Sequence, residues 1–583
     1  MTRFDDMSRA AGLMEAGRIE ADPGSVDLEG VLGAPGTDHG AGGATPAWPI
    51  RLVRRTSLAM LTGVSRREAV LWALVLIPAY VAFGWWMASS ANLYVGDAVS
   101  RVAAATFTVD SRDPHLSAIG FIFPPLMTLL EVPLVSLRGL WGGLVTESMA
   151  GTIVSAVFMA GAAIEVMRIV RAQTGRRVLS RLAALAFALN PLIVFYAANG
   201  MSEAAYVYLV LRGCRSLMGW IRTDDVGGLV AGGGAFALAY LVRYEAVVVA
   251  AGAAAVVIGV NLLRRRHAPR RALLNQIVID VMTMLLPVIL AFAGWTIASW
   301  LLTGEPFAQF TSAYGNSTII AQESGGATPP GGIGKFFHPL VTTLLLCPFL
   351  PFAVAWVGRT MRRRSDLPLV GLALPAGLGL AFSIYSTASG STFEFLRYFI
   401  LAVPIGIIGG ALLHRRVGVA LCALSLTVPL ATTWVVMQDR GRGVQERYLG
   451  AALFPSTADD DERRMLRQFD NERRIAATLD RLHLPEGAVL VDALFGFPVV
   501  LASDNPKQFV ITTDRDFAQA LDRPAESGVR YLLTVPDEDR GESDAVNRRY
   551  PGIYETGARV GELVLQADSD GPDPSFRLYR VLR

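Results

Sequence analysis

The sequence has little charge, and almost none of it comes from lysine. Only 18% of its 583 residues are Asp, Glu, Lys or Arg, and just two of the 53 basic residues are lysines, Lys335 and Lys507. Soluble proteins carry about 25% charged residues, so this deficit argues against a purely water-soluble fold. The formal net charge is only +3, which makes nucleic acid an unsuitable partner.

Cysteine is also scarce. The three cysteines, Cys214, Cys347 and Cys422, lie far apart within apolar stretches. Because disulfide frameworks and thiolate metal sites need paired or closely spaced cysteines, neither is indicated. We interpret the three as small apolar side chains of the interior. No two histidines have the spacing of metal ligands either, so we expect no cofactor.

Long hydrophobic runs dominate the rest of the chain. Residues of the AVILMFWYC set make up 52% of it, and the mean hydropathy is +0.41. The fold class predicted is therefore a polytopic α-helical membrane protein with about eleven transmembrane helices, each long enough to cross about 30 Å of hydrocarbon. The predicted spans are 70–90, 147–167, 182–198, 203–221, 226–242, 245–263, 276–302, 337–357, 368–388, 396–413 and 417–436.

Basic residues in the short connections predict the orientation of these spans. The connections on one side hold 22 arginines, whereas the alternate connections hold six basic residues. Since basic loops are retained in the cytoplasm, the amino terminus is expected there, and an odd number of spans places the other end outside. Arg212 and Arg215 fall inside the fourth span, where they must either snorkel or face the protein interior.

Composition divides the chain into three regions. Residues 1–68 are expected to form a disordered cytoplasmic tail, because they precede the first span and mostly mix small and acidic residues without periodicity. Residues 69–436 form the transmembrane domain, with a first outer loop at 91–125. Residues 437–583 have the composition of a soluble domain.

Short apolar runs in this last region are typical of strands and follow a charged, helix-like stretch at 461–483. Together they predict a soluble extracytoplasmic α/β domain. The runs lie at 488–492, 498–502, 508–512, 529–535, 562–567 and 576–581.

Polar residues collect at the predicted outer ends of the helices. In the first outer loop, 98–107 is a short helical stretch and Pro124-Pro125 opens a second helix. Such a rim suits a reaction between a lipid-borne phosphosugar and an acceptor on the water side. That reaction needs a carboxylate to accept the acceptor proton, worth about 10²–10⁴-fold, and cations to hold the departing phosphate.

Six motifs occur in order along the chain and together cover roughly 70–440: GDAVSR, FIFPPL, NGMSEAAY, the RYEA tract, GEPF and LRYFILAVP. In order and sidedness they resemble the GT-C superfamily of integral-membrane glycosyltransferases, which includes protein O-mannosyltransferases and the bacterial aminoarabinose transferase. The resemblance implies a glycosyltransferase of the EC 2.4 class in a bacterial plasma membrane. It would move a sugar from a polyprenyl-phosphate donor to an extracytoplasmic acceptor, either a cell-envelope glycan, a lipid or a protein.

By that resemblance Asp97 is the catalytic base, and a single base with direct attack predicts inversion at the anomeric carbon. Arg243, Arg397 and Arg101 are the candidates for binding the donor phosphate. Several relatives have a lysine immediately before Pro-Pro-Leu, whereas this chain has Phe123, so phosphate binding must be shared differently. Further candidates for lining the substrate cavity are Glu203, Tyr244, Glu245, Tyr398, His115, Lys335 and His338.

Each of these residues also has a purely structural interpretation. Asp97 and Glu203 are suited to stabilising the amino ends of helices. Arg243 and Arg397 would equally serve as membrane-interface anchors paired with nearby acids. Arg101 follows Asp97 by four residues, which favours an ion pair on one helical face.

Three further features of the predicted outer side remain open. The loop at 320–335, IAQESGGATPPGGIGK, is either a mobile lid over the donor or a slack connection. Asp110 and Asp113 are the candidates for a divalent ion, which some members of the superfamily use, although a turn at Asp113-Pro114 is the simpler interpretation. The carboxy-terminal domain has no nucleophile motif, so docking of the acceptor is its natural role.

A transporter or flippase of a lipid-linked saccharide is the main alternative. Transporters place ionisable residues near the membrane midplane. Here Asp280 and Glu165 fall near predicted cytoplasmic ends, and only Arg212 approaches the centre of a span, so the transferase is favoured. A non-catalytic scaffold or sensor subunit is the remaining alternative.

The predicted orientation can be tested with a membrane-impermeant maleimide. We expect Ser527→Cys, in the carboxy-terminal region, to be labelled in intact spheroplasts, because the reagent reaches the outer side. Ser8→Cys, in the amino-terminal tail, should be labelled only after the membrane is permeabilised. The unsubstituted protein gives the background of its three native cysteines, and labelling of Ser8→Cys in intact spheroplasts would overturn the orientation.

Overall fold

The computed structural model describes residues 63–307, 334–351, 367–413 and 419–582. The tail before residue 63 lies outside the described residues, so the disorder predicted for it stays a prediction. Most of the predicted lid at 320–335 lies outside them as well.

The amino-terminal and central part of the described chain is helical. Short 3₁₀ turns at Leu116–Ile119 and Leu396–Phe399 join some of its helices. The helices are α1 (Arg66–Ser89), α2 (Gly96–Val109), α3 (Leu126–Val135), α4 (Gly143–Thr146), α5 (Met149–Thr174), α6 (Arg177–Ala188), α7 (Pro191–Ala198), α8 (Glu203–Thr223), α9 (Val226–Tyr240), α10 (Ala246–Arg264), α11 (Arg270–Thr303), α12 (Gly334–Leu346), α13 (Val370–Ser389), α14 (Ala402–Leu413) and α15 (Val419–Gln438).

Over its described residues, each of the eleven predicted spans is mostly helical, although 182–198 is broken at 189–190 and 337–357 at 347–349. Six described helical stretches are long and apolar enough to cross a membrane, and a seventh arises if α6 and α7 count as one span. The polytopic helical class is therefore supported, whereas the number eleven stays a prediction. The six stretches are Arg66–Ser89, Met149–Thr174, Ala246–Arg264, Arg270–Thr303, Leu367–Ser389 and Leu396–Leu413.

Local sequence explains why α6 and α7 do not form one straight span. They meet at a bend of 64°, where the side chain of Asn190 accepts a hydrogen bond from the backbone N–H of Leu192 at 3.1 Å. Pro191 occupies the first position of α7, where a missing N–H costs nothing. The Asn-Pro pair therefore starts a new helix instead of continuing the old one.

The two arginines of the fourth predicted span face protein. Arg215 donates to Glu165 of α5, which is fully buried. Arg212 donates to the hydroxyl of Ser216 at 2.9 Å. A buried carboxylate and a buried guanidinium compensate each other's desolvation, and the pair links α8 to α5.

Helix α5 lies at the centre of the bundle and α11 at its edge. Of the most apolar stretch of α5, 72% is buried inside the protein, whereas for α11 the share is only 17%, which leaves most of α11 exposed on the surface of the bundle. Small residues allow the close packing around α5. Gly200, with a φ of +78°, approaches Gly151 so closely that an added Cβ would lie 3.2 Å from the Gly151 backbone, which favours glycine there.

The predicted interior position of the cysteines is confirmed for two of them. Cys214 and Cys347 are free and completely buried. The side chain of Cys422 lies outside the described residues.

The carboxy-terminal part combines helices with a five-stranded sheet of order β2-β1-β3-β5-β4. The first three strands in that order pair in parallel and the last two join antiparallel. The elements are α16 (Arg447–Leu453), α17 (Asp460–Met465), α18 (Asp470–Arg481), β1 (Val489–Val491), α19 (Ala493–Ala502), β2 (Phe509–Ile511), α20 (Phe517–Asp522), β3 (Tyr531–Thr534), α21 (Ala545–Arg549), α22 (Ile553–Thr556), β4 (Gly561–Ala567) and β5 (Phe576–Val581).

Two local predictions for this region were wrong. The run 498–502 is the second half of α19 and not a strand, because Asp492 caps that helix by accepting from the backbone N–H of Leu494 at 2.9 Å. The stretch 461–483 forms two helices, α17 and α18, because Phe469 between them adopts a left-handed backbone with a φ of +64°.

Helix α2 shares a hydrophobic core with this α/β region. Val99, Val102 and Phe107 of α2 belong to the same buried cluster as Leu479 of α18 and Val499 of α19. Removing apolar surface from water is worth about 25 cal/mol per Å², so this contact holds the region against the helical bundle.

Polar contacts surround the shared core. The side chain of Asn92, just before α2, donates to the backbone oxygen of Leu466 at 2.9 Å. Arg473 of α18 donates to Asn92 at 2.7 Å and to the hydroxyl of Tyr94 at 2.8 Å. Beyond the other end of α2, Arg112 pairs with Asp514 at 3.0 Å.

We expect Arg112→Ala to destabilise the protein in a pH-dependent way. Burial raises the pKa of Asp514 to about 6 even though Arg112 opposes that rise. Above pH 6 the Asp514 carboxylate is therefore mostly ionised and is stabilised by the Arg112 guanidinium. Below pH 5 it is largely protonated. The variant should lose about 1–3 kcal/mol of its free energy of unfolding. Its thermal unfolding midpoint should therefore fall further at pH 8 than at pH 5.

Arg523→Ala is the matched control. Arg523 pairs with Glu526 at 3.3 Å, and both side chains are exposed, so its loss should cost under about 0.5 kcal/mol at either pH. An equal drop for both variants at pH 8 would contradict the importance of the Arg112 contact.

Candidate active site

A cavity of about 1030 Å³ lies between one end of the helical bundle and the α/β region. Both parts contribute side chains to it. The wall formed by the helical part includes Asp97, Arg101, Tyr244, Glu245, Arg243, Arg397 and Tyr398, and the opposite wall includes Phe469, Glu472, Phe495, Phe497, Arg540 and Asp573.

Asp97 lies in the first turn of α2. The cap of this helix is Val95, so the Asp97 side chain is not the amino-terminal cap. Its Oδ2 lies 2.9 Å from Nη2 of Arg397, and the side chain is 38% exposed, towards the cavity. Burial would raise the pKa of this carboxyl, but the charges of Arg397 and Arg101 outweigh burial and lower it. The carboxylate is therefore ionised at neutral pH.

Arg397 is held from several sides. Besides the contact with Asp97, its Nε lies 3.8 Å from Oε1 of Glu203, and its Nη1 donates to Gln445 at 3.4 Å. The guanidinium also lies 4.4 Å from the ring centre of Phe395. The side chain is only 8% exposed, which leaves one edge at the cavity.

Arg243 shares the Glu203 carboxylate with Arg397. It donates to Glu203 and to Glu245, and its guanidinium lies 5.3 Å from the ring centre of Tyr398. Glu203 is completely buried at the start of α8. One buried carboxylate thus compensates two guanidinium groups, and both of those groups reach the cavity.

Arg101 is oriented by the backbone of its own helix. Its Nη1 donates to the carbonyl oxygen of Asp97 at 3.1 Å, and the guanidinium lies 4.3 Å from the ring centre of Phe123. The contact predicted between the two side chains is therefore an electrostatic one, since the hydrogen bond goes to the main chain. A cation accordingly lies beside Phe123.

The structure separates the remaining candidates into two groups. Tyr244, Glu245 and Tyr398 line the cavity, and Glu203 lies behind that lining. His115 contacts the backbone oxygen of Asp113 at 2.6 Å. Lys335 and His338 belong to α12; together with His115 they lie outside the described lining.

The acids considered for a divalent ion have other partners. Asp110 pairs with Arg138 at 2.6 Å, and Asp113 pairs with Arg515 of the α/β region at 3.2 Å. Across the described ranges, no group of three or more His, Cys, Asp and Glu residues is arranged to hold a metal ion.

Sequence reasoning overlooked Glu131 and the wall provided by the α/β region. Glu131 of α3 is completely buried, and neither of its oxygens has a hydrogen-bond partner among the described residues. An ionised Glu131 would stabilise the positive charge of Arg101. A lone acid in the run LLEVPL was a usable signal. The residues of the α/β region that line the cavity gave no such signal in the sequence, because only tertiary packing brings them there.

Comparisons with protein-family models and with curated proteins find no match. Among solved structures, ArnT from Cupriavidus metallidurans bound to undecaprenyl phosphate matches with a TM-score of 0.50 and 15% identity, over 87% of this chain and 97% of that one. Its apo state matches equally well, over 88% and 98%. The chain shares the fold of ArnT.

The predicted fold is thereby confirmed, at low sequence identity. An oligosaccharyltransferase from Archaeoglobus fulgidus in the apo form is also similar, with a TM-score of 0.41 and 11% identity over 80% of this chain and 70% of that one. Because the ArnT match spans 87% of this chain, the likeness extends beyond the helical bundle.

We expect Glu203→Ala to destabilise the protein strongly. The change leaves Arg243 and Arg397 buried with less opposite charge, which costs about 3 kcal/mol or more even though each keeps a second carboxylate. The thermal unfolding midpoint measures this loss.

Glu394→Ala is the matched control, since Glu394 is an exposed acid three residues before Arg397. Its midpoint should stay close to that of the unsubstituted protein. Similar unfolding midpoints for Glu203→Ala and Glu394→Ala would show that the Glu203 carboxylate stabilises the protein no more than an exposed acid does.

Proposed function

We propose that this chain is an inverting glycosyltransferase that uses a polyprenyl-phosphate-linked sugar and an extracytoplasmic acceptor, with Asp97 as the general base. The observation that supports it most directly is the contact between Asp97 and Arg397 at the cavity. An ionised carboxylate and a cation stand side by side there. Transfer from a sugar phosphate needs one group of each kind.

The donor phosphate is assigned to the cationic side of the cavity. Arg397 and Arg243 present guanidinium groups there, and such groups bind phosphate oxygens in pairs of hydrogen bonds. Arg101, beside Phe123, contributes further positive charge. The ArnT structure of the same fold is bound to undecaprenyl phosphate, and by analogy this chain takes a polyprenyl carrier whose tail stays in the membrane.

The proposed reaction is a single displacement. The acceptor hydroxyl gives its proton to Asp97 as its oxygen bonds to the anomeric carbon. The bond between that carbon and the phosphate oxygen breaks, and polyprenyl phosphate leaves with the electron pair. Attack opposite the phosphate inverts the anomeric carbon. Since phosphate is a good leaving group, the reaction needs no general acid.

The α/β region supplies the opposite wall of the cavity. In this proposal it lies outside the plasma membrane and receives the acceptor. The acceptor then enters between the two walls, with its hydroxyl towards Asp97 and the donor sugar. The residues of the helical wall act on the donor, and those of the opposite wall act on the acceptor.

Asp97→Asn tests the base. The amide keeps the size of the side chain but cannot take up the acceptor proton, so turnover should fall about 10²–10⁴-fold. The measurement is release of polyprenyl phosphate by purified protein from a radiolabelled polyprenyl-phosphosugar in the presence of an acceptor extract.

Asp110→Asn serves as the control, because Asp110 lies in the same outer segment but pairs with Arg138 away from the cavity. It should retain turnover within a few-fold. Unchanged turnover by a folded Asp97→Asn protein would refute the assignment of the base.

A further inference from the structure

The cavity wall formed by the α/β region carries acids and aromatic rings. We call the set Phe469, Glu472, Phe495, Phe497 and Asp573 the acceptor wall. All five line the cavity. They come from α18, the residue before it, α19 and the segment before β5, so the wall exists only in the folded domain.

Glu472 is the decisive residue of the acceptor wall. Glu472 is only 1% exposed, and its Oε2 has no hydrogen-bond partner among the described residues. Burial, followed by the charge of Asp573, raises the pKa of this carboxyl to about 8. The group is therefore largely neutral at pH 7. An unpaired buried oxygen is costly unless a ligand supplies its partner.

Asp573 lies beside it and is held by the main chain. It accepts a hydrogen bond from the backbone N–H of Phe469 at 2.6 Å. This contact fixes Phe469 in its left-handed conformation, and the backbone there is under strain for a residue with a large side chain. The Phe469 ring is consequently held at the cavity.

The aromatic rings form a connected group. The ring centre of Phe469 lies 6.2 Å from that of Phe497, in an edge-to-face arrangement, and 5.7 Å from that of Tyr94. Phe495 and Phe497 are only partly buried. Rings of this kind bind the apolar C–H faces of a ligand, while neighbouring carboxyls bind its hydroxyls.

The two walls of the cavity differ in their balance of charge. The helical wall holds Arg101, Arg243 and Arg397 beside the two acids Asp97 and Glu245, whereas the opposite wall holds the carboxyls of Glu472, Asp492 and Asp573 and, among its described lining residues, the cation Arg540. An anionic acceptor would meet unfavourable charge on the side away from the helices. A ligand with many hydroxyls and no charge suits that side better.

We propose that the acceptor wall binds a neutral saccharide chain, whose hydroxyl is the acceptor in the transferase reaction. The inference rests on the function proposed above and narrows its acceptor to one chemical class. Glu472 and Asp573 bind sugar hydroxyls, and Phe495 and Phe497 pack against the sugar rings. The chain thereby lies against the domain with one end towards Asp97.

The probe is a glycan array read with the full-length protein in nanodiscs. It carries neutral oligosaccharides of mannose, galactose, glucose and arabinose beside the same chains bearing phosphate or carboxylate groups. We expect binding to neutral chains. For the strongest of them, Glu472→Met, which keeps the length of the side chain but removes its oxygens, and Phe497→Ala should each weaken binding about tenfold or more.

Matched controls come from exposed positions of the same domain. Glu486→Met and Leu482→Ala alter exposed side chains away from the cavity, and both should bind the saccharide as the unsubstituted protein does. Glu472→Met and Phe497→Ala should keep their affinity for undecaprenyl phosphate. Binding confined to charged chains or to basic peptides, no binding to any saccharide, or unchanged affinity in Glu472→Met would overturn the inference.

The Asp97→Asn protein distinguishes this inference from the proposed function. It should bind the saccharide normally, because the acceptor wall is intact. If Asp97→Asn turns over normally while Glu472→Met loses saccharide binding, the assignment of the base fails and the acceptor wall stands. If turnover depends on Asp97 but no neutral saccharide binds, the inference about the acceptor fails alone.

Discussion

The burial of positive charge at one end of the helical bundle governs the arrangement of the site. A guanidinium in a poorly hydrated place is tolerated only beside carboxylates, and Arg243 and Arg397 share Glu203 for this reason. Glu203 alone cannot neutralise both. The second partner of Arg397 is Asp97, so the same need for compensation that stabilises the helix ends also holds an ionised carboxylate at the cavity.

Helix α2 connects the two halves of the molecule. Its first turn carries Asp97, and Val99, Val102 and Phe107 further along the helix are buried in the core shared with α18 and α19. If α2 packed only against the helical bundle, the cavity would be open on one side. Here the α/β region closes that side, and the cavity has a cationic wall and an acidic, aromatic wall.

The sequence predicted those features that depend on local pattern. Hydrophobic runs located the helices, and ordered motifs indicated the GT-C fold. Charge in the connections assigned GDAVSR and LRYF to one side of the membrane, but about 300 residues separate Asp97 from Arg397, and only packing makes them touch. The acceptor wall depends on α19, whose second half was predicted as a strand, and on the turn at Phe469, which no local pattern indicated.

The shared core of α2 has a consequence for motion within the molecule. Because Val99, Val102 and Phe107 are packed into the α/β region, a rigid-body displacement of that region carries the whole of α2 with it. Asp97 lies on the same helix, so its distance from Arg397 depends on the position of that region. A ligand that displaced the α/β region would therefore also move the Asp97 carboxylate relative to Arg397.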